Sequence, residues 1–224
     1  MSAGRRSSPT PIGAHPPFPR AGRRRPSPTR RSRPRTAPSS GDKVCIRHLG
    51  NAVLIAMAGL PGTGKSSVAD GPARALDGQI VSVDPIEAAL WRAGIDRMEP
   101  TGLAAYVVAE TIAEAALALG QTVIVDAVNA VEPARAQWRA LAARHGARLC
   151  FIETVCPDAD VHRARLERRQ RGLDASLEPH WADVVRRIDE VEPWDDERLV
   201  VDTMAPLEVC VATALAYVTG DPKD

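Results

Sequence analysis

The octapeptide Gly59-Leu-Pro-Gly-Thr-Gly-Lys-Ser66 constrains this chain more than any other stretch, because it matches the G-x-x-x-x-G-K-[ST] pattern in full. A short β-like apolar run, Ala52 to Ala58, leads into it. Val68, Ala69, Ala73 and Leu76 lead out of it with helix-compatible spacing. Such a loop wraps backbone N–H groups around a phosphate, at a helix N-terminus that itself favours negative charge. Gly59, Leu60, Pro61, Gly62, Thr63, Gly64 and Ser67 would shape the cradle, Lys65 would reach the β and γ oxygens, and Ser66 would offer a hydroxyl to Mg²⁺. The expected ligand is therefore a nucleoside triphosphate with Mg²⁺. ATPases, GTPases and kinases all use this loop, so it names no reaction.

The formal charge of +1 conceals two unlike parts. Residues 1–40 carry ten arginines, nine prolines and no acidic residue, which leaves 19 basic against 28 acidic side chains in the remainder. Segment 1–42 has little apolar surface to bury and reads as a disordered Arg/Pro-rich tail. It is a solvated tail, a basic arm for nucleic acid or anionic surfaces, or translated sequence upstream of the true start. Its proline density spoils the amphipathic helix of a mitochondrial transit peptide. Residues 43–224 are enough for one α/β domain. No uninterrupted apolar stretch approaches roughly 18 residues, so no membrane span is expected. Cys45, Cys150, Cys156 and Cys210 lack paired metal-ligand spacing and read as thiols of a reducing cytoplasm.

The elements alternate. Gln79 to Val83 reads as a second strand closed by Asp84, and Ala104 to Leu119 as an alanine-rich helix stopped by Gly120. Thr122 to Val125 reads as a third strand closed by Asp126. Pro133 opens a helix ending before Gly146, and Arg148 to Val155 is a fourth strand. An Arg-rich helix runs from Pro157-Asp158 to Arg171, and a shorter one covers Trp181 to Val191. Leu199 to Val201 is a fifth strand, and Pro206 to Tyr217 the closing helix. Strands joined by crossover helices imply a parallel sheet covered on both faces, with ligands beyond the carboxyl ends of the strands.

The polar residues of interest fall at those ends. Asp126 directly follows Val-Ile-Val, as a Walker B aspartate would, and suits the Mg²⁺ side of the site. Asp84 is a candidate to orient or deprotonate an acceptor hydroxyl, or else a helix cap before Pro85. Asn129 either meets substrate or ties down its own loop. The stretch His162 to Gly172 holds five arginines within nine residues. Arg165 and Arg169 share one face, a like-charge pair that an anion such as phosphate would relieve. Arg169, with Arg165 and Arg171, is therefore assigned to the transferring phosphoryl group, while His162 reads as structural. Trp138 fits the core; Trp91, Trp181 and Trp194 are core or pocket wall.

These motifs resemble the P-loop kinase family that includes small AAA-type ATP-binding proteins of bacteria, zeta-toxin-like kinases, chloramphenicol phosphotransferase and the 5′-kinase domain of polynucleotide kinase. The resemblance covers roughly residues 51–218, carried by the loop itself, Val81-Ser-Val-Asp84, Val123-Ile-Val-Asp-Ala-Val-Asn129, Ile152-Glu-Thr-Val-Cys-Pro-Asp158 and His162 to Arg171. It implies an α/β P-loop nucleoside-triphosphate hydrolase/kinase fold: a five-stranded parallel sheet in the order 2-3-1-4-5, helices on both faces and a lid near 165–180. It implies ATP as phosphoryl donor, Asp84 as base toward the acceptor, and Arg169 as the lid arginine. Polynucleotide kinases typically follow that aspartate with an arginine, whereas Pro85, Ile86 and Glu87 follow it here. That points away from a nucleic-acid 5′ end, although the basic tail leaves nucleic acid open as a partner. In the helix behind the loop, Asp70-Gly-Pro72 predicts either an early break or a helix of reduced stability.

The expected activity is an ATP-dependent phosphotransfer to a small-molecule hydroxyl, in a cytoplasmic monomer or weak homodimer. The alternatives are an ATPase or regulatory nucleotide binder without an acceptor, and a nucleic-acid 5′-hydroxyl kinase. The chain has no Asn-Lys-x-Asp string for guanine and no Leu-Ser-Gly-Gly-Gln signature of transporter ATPases.

Overall fold

Six consecutive apolar residues, Val53–Ala58, form β1, and from Leu54 onward all are buried, as a strand at the centre of a parallel sheet requires. The computed structural model describes residues 52–168 and 180–220. Around β1 stand β2 (Gln79–Ser82), β3 (Val123–Asp126), β4 (Arg148–Val155) and β5 (Arg198–Asp202). All pairings are parallel, in the order β2-β3-β1-β4-β5. This is the sheet of a P-loop NTPase/kinase fold, as the resemblance implied.

Side chains alternate across the pleat and build two cores. Leu54 and Ala56 of β1 face a layer made by α2 (Val83–Arg92), α3 (Thr101–Ala118) and α4 (Glu132–His145). Ile55 and Met57 face α1 (Lys65–Ala75) and α7 (Leu207–Thr219). The remaining helices, α5 (Ala159–Arg168) and α6 (Trp181–Asp189), follow β4, where this fold carries its lid. Arg169 and Arg171 lie outside the described residues.

Three sequence expectations change. The second strand stops at Ser82; Val83 already belongs to α2, and Asp84 sits in the first helical turn. Pro85 falls in the same turn, where a missing N–H interrupts no intrahelical bond. The alanine-rich helix starts at Thr101 rather than Ala104, with Gly102 inside it. The helix behind the loop does not break at Pro72 but runs to Ala75, and Leu76 N–H reaches Pro72 O at 3.0 Å.

One helix bears on the expectation of no membrane span. α3, 18 residues long and largely apolar, has the length and composition of a membrane span. In the fold its alanines at four-residue spacing, Ala105, Ala109 and Ala113, are fully buried and join the core that covers the sheet. A third of its length is buried.

Candidate functional site

The loop after β1 is held in a conformation that only its own sequence allows. Gly59 has φ +128°, and a Cβ there would stand 2.4 Å from Thr154 O, inside any permitted contact. Thr63, itself buried, donates its hydroxyl to Leu60 O at 2.8 Å and lies 2.8 Å from Thr154 Oγ1. Lys65 is buried, and its Nζ donates to Leu60 O at 3.0 Å. Gly64, left-handed at φ 96°, stands at the N-terminus of α1, and no side chain caps that end. The first N–H groups of α1 are therefore not taken by a capping side chain, and the helix dipole adds positive potential there.

Sheet register brings the carboxylates to this loop. Asp126 pairs across β3 with Met57 on one side and Ser82 on the other. Its Oδ2 accepts from Ser66 Oγ at 2.7 Å and lies 3.5 Å from Ser82 Oγ. Two cavities meet at Ser66. The larger, about 550 Å³, runs along Gly62, Gly64, Lys65 and Ser66 toward Arg165, Arg168, Thr203 and Leu207. The smaller, about 290 Å³, is lined by Ser66, Ser82, Asp84 and Asp126, with Asp70, Ile80 and Pro85. The structure thus brings Lys65, Ser66, Ser67, Asp84, Asp126 and Arg165 around two adjoining cavities. Among the described residues, no group of three or more His, Cys, Asp or Glu could chelate a metal alone. The oxygens of Ser66 and Asp126 are nevertheless the hard donors Mg²⁺ prefers, and Mg²⁺ keeps several waters and a few protein ligands.

Several side chains turn out to hold the site rather than line it. Asn129, fully buried with φ 49°, donates from Nδ2 to Met57 O at 2.7 Å and accepts from Trp138 Nε1 at 2.8 Å. Its backbone N–H donates to the Tyr106 hydroxyl at 3.1 Å. Of the two readings of Asn129, tying down its own loop is the one seen. Burial pushes the Tyr106 phenol up to about 12; the Asn129 N–H works against that shift, and the charge of Asp84 adds to it. Arg165 donates from Nη1 to Thr203 Oγ1 and from Nη2 to Thr203 O, both at 2.9 Å.

The tryptophans also find places. Trp138 is core. Trp91 donates to Thr101 Oγ1 at 3.0 Å, which in turn donates to Glu87 at 2.8 Å, linking α2 to α3. Trp181 stands edge-on to His162, and Trp194 meets Phe151 edge-to-face with the guanidinium groups of Arg135 and Arg198 over its ring. Arg135 is the residue that sequence reading missed. It is fully buried and donates to Ala130 O, Glu192 O and Pro193 O, clasping the segment after α6 against the start of α4. The signal was present: Arg135 shares the inward helical face of Trp138 and Ala142.

Residues 54–190 match the model of a protein family described as AAA domain. The chain belongs to that family. The matched span runs from β1 to just past α6, and β5 and α7 complete the sheet beyond it. Solved structures share the fold. A putative kinase from Chloroflexus aurantiacus aligns with a TM-score of 0.62 at 20% identity, over 75% of this chain and 98% of that one. A gluconokinase from Sinorhizobium meliloti aligns at 0.57 and 18%, over 75% and 92%. The APS kinase of Mycobacterium tuberculosis, in complex with AMPPNP and APS, aligns at 0.54 and 18%, over 75% and 98%. No significant match is found among curated proteins.

Proposed function

We propose that this AAA domain protein is an ATP-dependent phosphotransferase that moves the γ-phosphoryl of ATP to a hydroxyl of a small molecule. The observation that carries this reading is the pair of cavities sharing Ser66: one along the phosphate loop, the other lined by Asp84 and Asp126. A hydrolase needs only the first and a water; a second cavity with a carboxylate at the junction suits an acceptor. The kinases that share the fold transfer phosphoryl groups to small molecules, which supports the same class here.

In this reading the N–H groups of the loop and Lys65 hold the β- and γ-phosphates. Ser66 and Asp126 would hold Mg²⁺, which neutralises charge on the phosphate oxygens when bound. Asp84 orients the acceptor hydroxyl and takes its proton. The acceptor oxygen forms a bond to γ-phosphorus as the bond to the β–γ bridging oxygen breaks, and its electron pair leaves with ADP. Arg169 and Arg171, by the family resemblance, would neutralise the transferring group, and Arg165 stands at the wall of the cavity along the phosphate loop.

Two substitutions separate the donor side from the acceptor side. Lys65→Ala is expected to weaken ATP binding strongly and abolish turnover. Asp84→Asn is expected to leave the Kd for ATP within about twofold while lowering transfer by at least about a hundredfold, in the range of general-base catalysis. Full transfer in Asp84→Asn would remove the base assignment.

A further inference from the structure

His162 reaches from α5 to the phosphate loop, and its contact fixes more than packing. The side chain is 5% exposed. Its Nε2 lies 2.7 Å from Pro61 O, so Nε2 carries a proton and donates it, because a carbonyl only accepts. Gly62, at φ +88°, accommodates the ring: a Cβ there would stand 3.1 Å from His162 Cδ2 and 3.3 Å from Nε2. From the other helix of the lid region, Trp181 packs edge-on against the imidazole, ring centroids 5.2 Å apart. The ring is thus set between α6 and the loop.

The consequence follows from peptide geometry. No peptide bond among the described residues is cis, and in a planar trans peptide the C=O and the N–H point in opposite directions. Holding Pro61 O on His162 therefore turns the Gly62 N–H away from His162. Gly62 lines the larger cavity on the phosphate side of the loop, whereas His162 does not. The neighbouring carbonyl, Leu60 O, is fixed by Thr63 and Lys65, and the peptide behind it ends on Pro61, which has no N–H to present. Gly62 thus offers the first N–H of the proline–glycine stretch that a phosphate can use.

We infer that His162 is a positioning residue that aims the Gly62 N–H at the bound phosphates, so that nucleotide affinity is set in part from the lid helices. This rests on the reading of the loop as a triphosphate site. A preorganised donor needs no reorientation when the anion arrives, which is where such a contact acts.

The test is calorimetric titration of the full chain with Mg·ATP, Mg·ADP and inorganic tripolyphosphate, with adenosine as a phosphate-free probe. His162→Phe fills the ring volume without a donor, and His162→Gln restores an N–H near the position of Nε2. His162→Phe should raise the Kd for all three phosphate ligands about tenfold, the scale of one hydrogen bond to a charged group, and leave adenosine unchanged. His162→Gln should return most of that affinity, with thermal melting confirming that both variants fold. Unaltered phosphate affinity in His162→Phe, equal loss in His162→Gln, or equal weakening of adenosine would overturn the inference. Lys65→Ala serves as control: if the unsubstituted chain binds no phosphate ligand, or Lys65→Ala changes nothing, the triphosphate reading itself fails and this inference with it.

Discussion

Asn129 and Tyr106 show how a single residue holds the edge of the site in place. Neither touches a cavity described above, yet Asn129 joins β1, α3 and α4 through its three hydrogen bonds. Which role it plays could not be read from sequence, because its partners Met57 and Tyr106 lie 72 and 23 residues away. Tyr106 leads to a pH prediction. An unfolded chain releases the phenolic proton near pH 10, whereas the folded protein keeps it to about 12. Between those values the folded state binds more protons than the unfolded, so stability is complete below pH 10 and falls as pH rises toward 12. Urea unfolding across that window should show a loss of about 2 to 3 kcal/mol that Tyr106→Phe lacks. Equal slopes in the two proteins would show that the buried phenol is not the cause.

At the scale of elements, α1 illustrates what local rules can and cannot foresee. Asp70-Gly71-Pro72 predicts trouble in a helix, and read alone it should break one. The fold gives Gly71 a reason: a Cβ there would stand 2.2 Å from Val211 Cγ1, so glycine lets α7 approach. Pro72 is buried in the same helix, which tertiary packing carries through to Ala75. Two effects oppose each other in Gly71→Ala. Helix propensity favours alanine by about 1 kcal/mol, whereas overpacking against a stiff valine costs about 1 to 3 kcal/mol. At 2.2 Å the clash wins, so Gly71→Ala should lower stability in urea melts and Val211→Ala in that background should recover most of the loss. A Gly71→Ala variant as stable as the parent would refute the close-packing account. The start of α2 was hidden for a related reason. Val83 is β-branched and continues the strand pattern, yet it is buried as the first residue of α2.

For the whole molecule, the parallel sheet was legible because apolar strands alternate with crossover helices along the chain, whereas the order of its strands was implied only by the resemblance that the phosphate loop and the strand-end motifs carry. In space the strands lie in the order β2-β3-β1-β4-β5, with the first strand of the sequence at the centre. The convergence of Ser66 and Asp126 was legible too, since both lie where the loop and β3 meet the same end of the sheet. The clasp made by Arg135 and the grip of His162 on Pro61 were not, because each joins segments 57 or more residues apart. The Arg/Pro-rich segment has no apolar pattern of its own. Deleting residues 1–40 is expected to leave the melting temperature within about 2 °C and the Kd for ATP unchanged, by the scale of a stability change under about 1 kcal/mol. A clear fall in melting temperature would mean that the segment packs on the domain.

The central claim is that the γ-phosphoryl of ATP ends on a small molecule. Incubation of the protein with γ-labelled ATP, Mg²⁺ and a metabolite pool, followed by separation of the labelled products, reads this outcome directly. The account predicts a labelled organic phosphate that disappears with Asp84→Asn while ATP binding persists. Label appearing only as inorganic phosphate, at the same rate in both proteins, would contradict it.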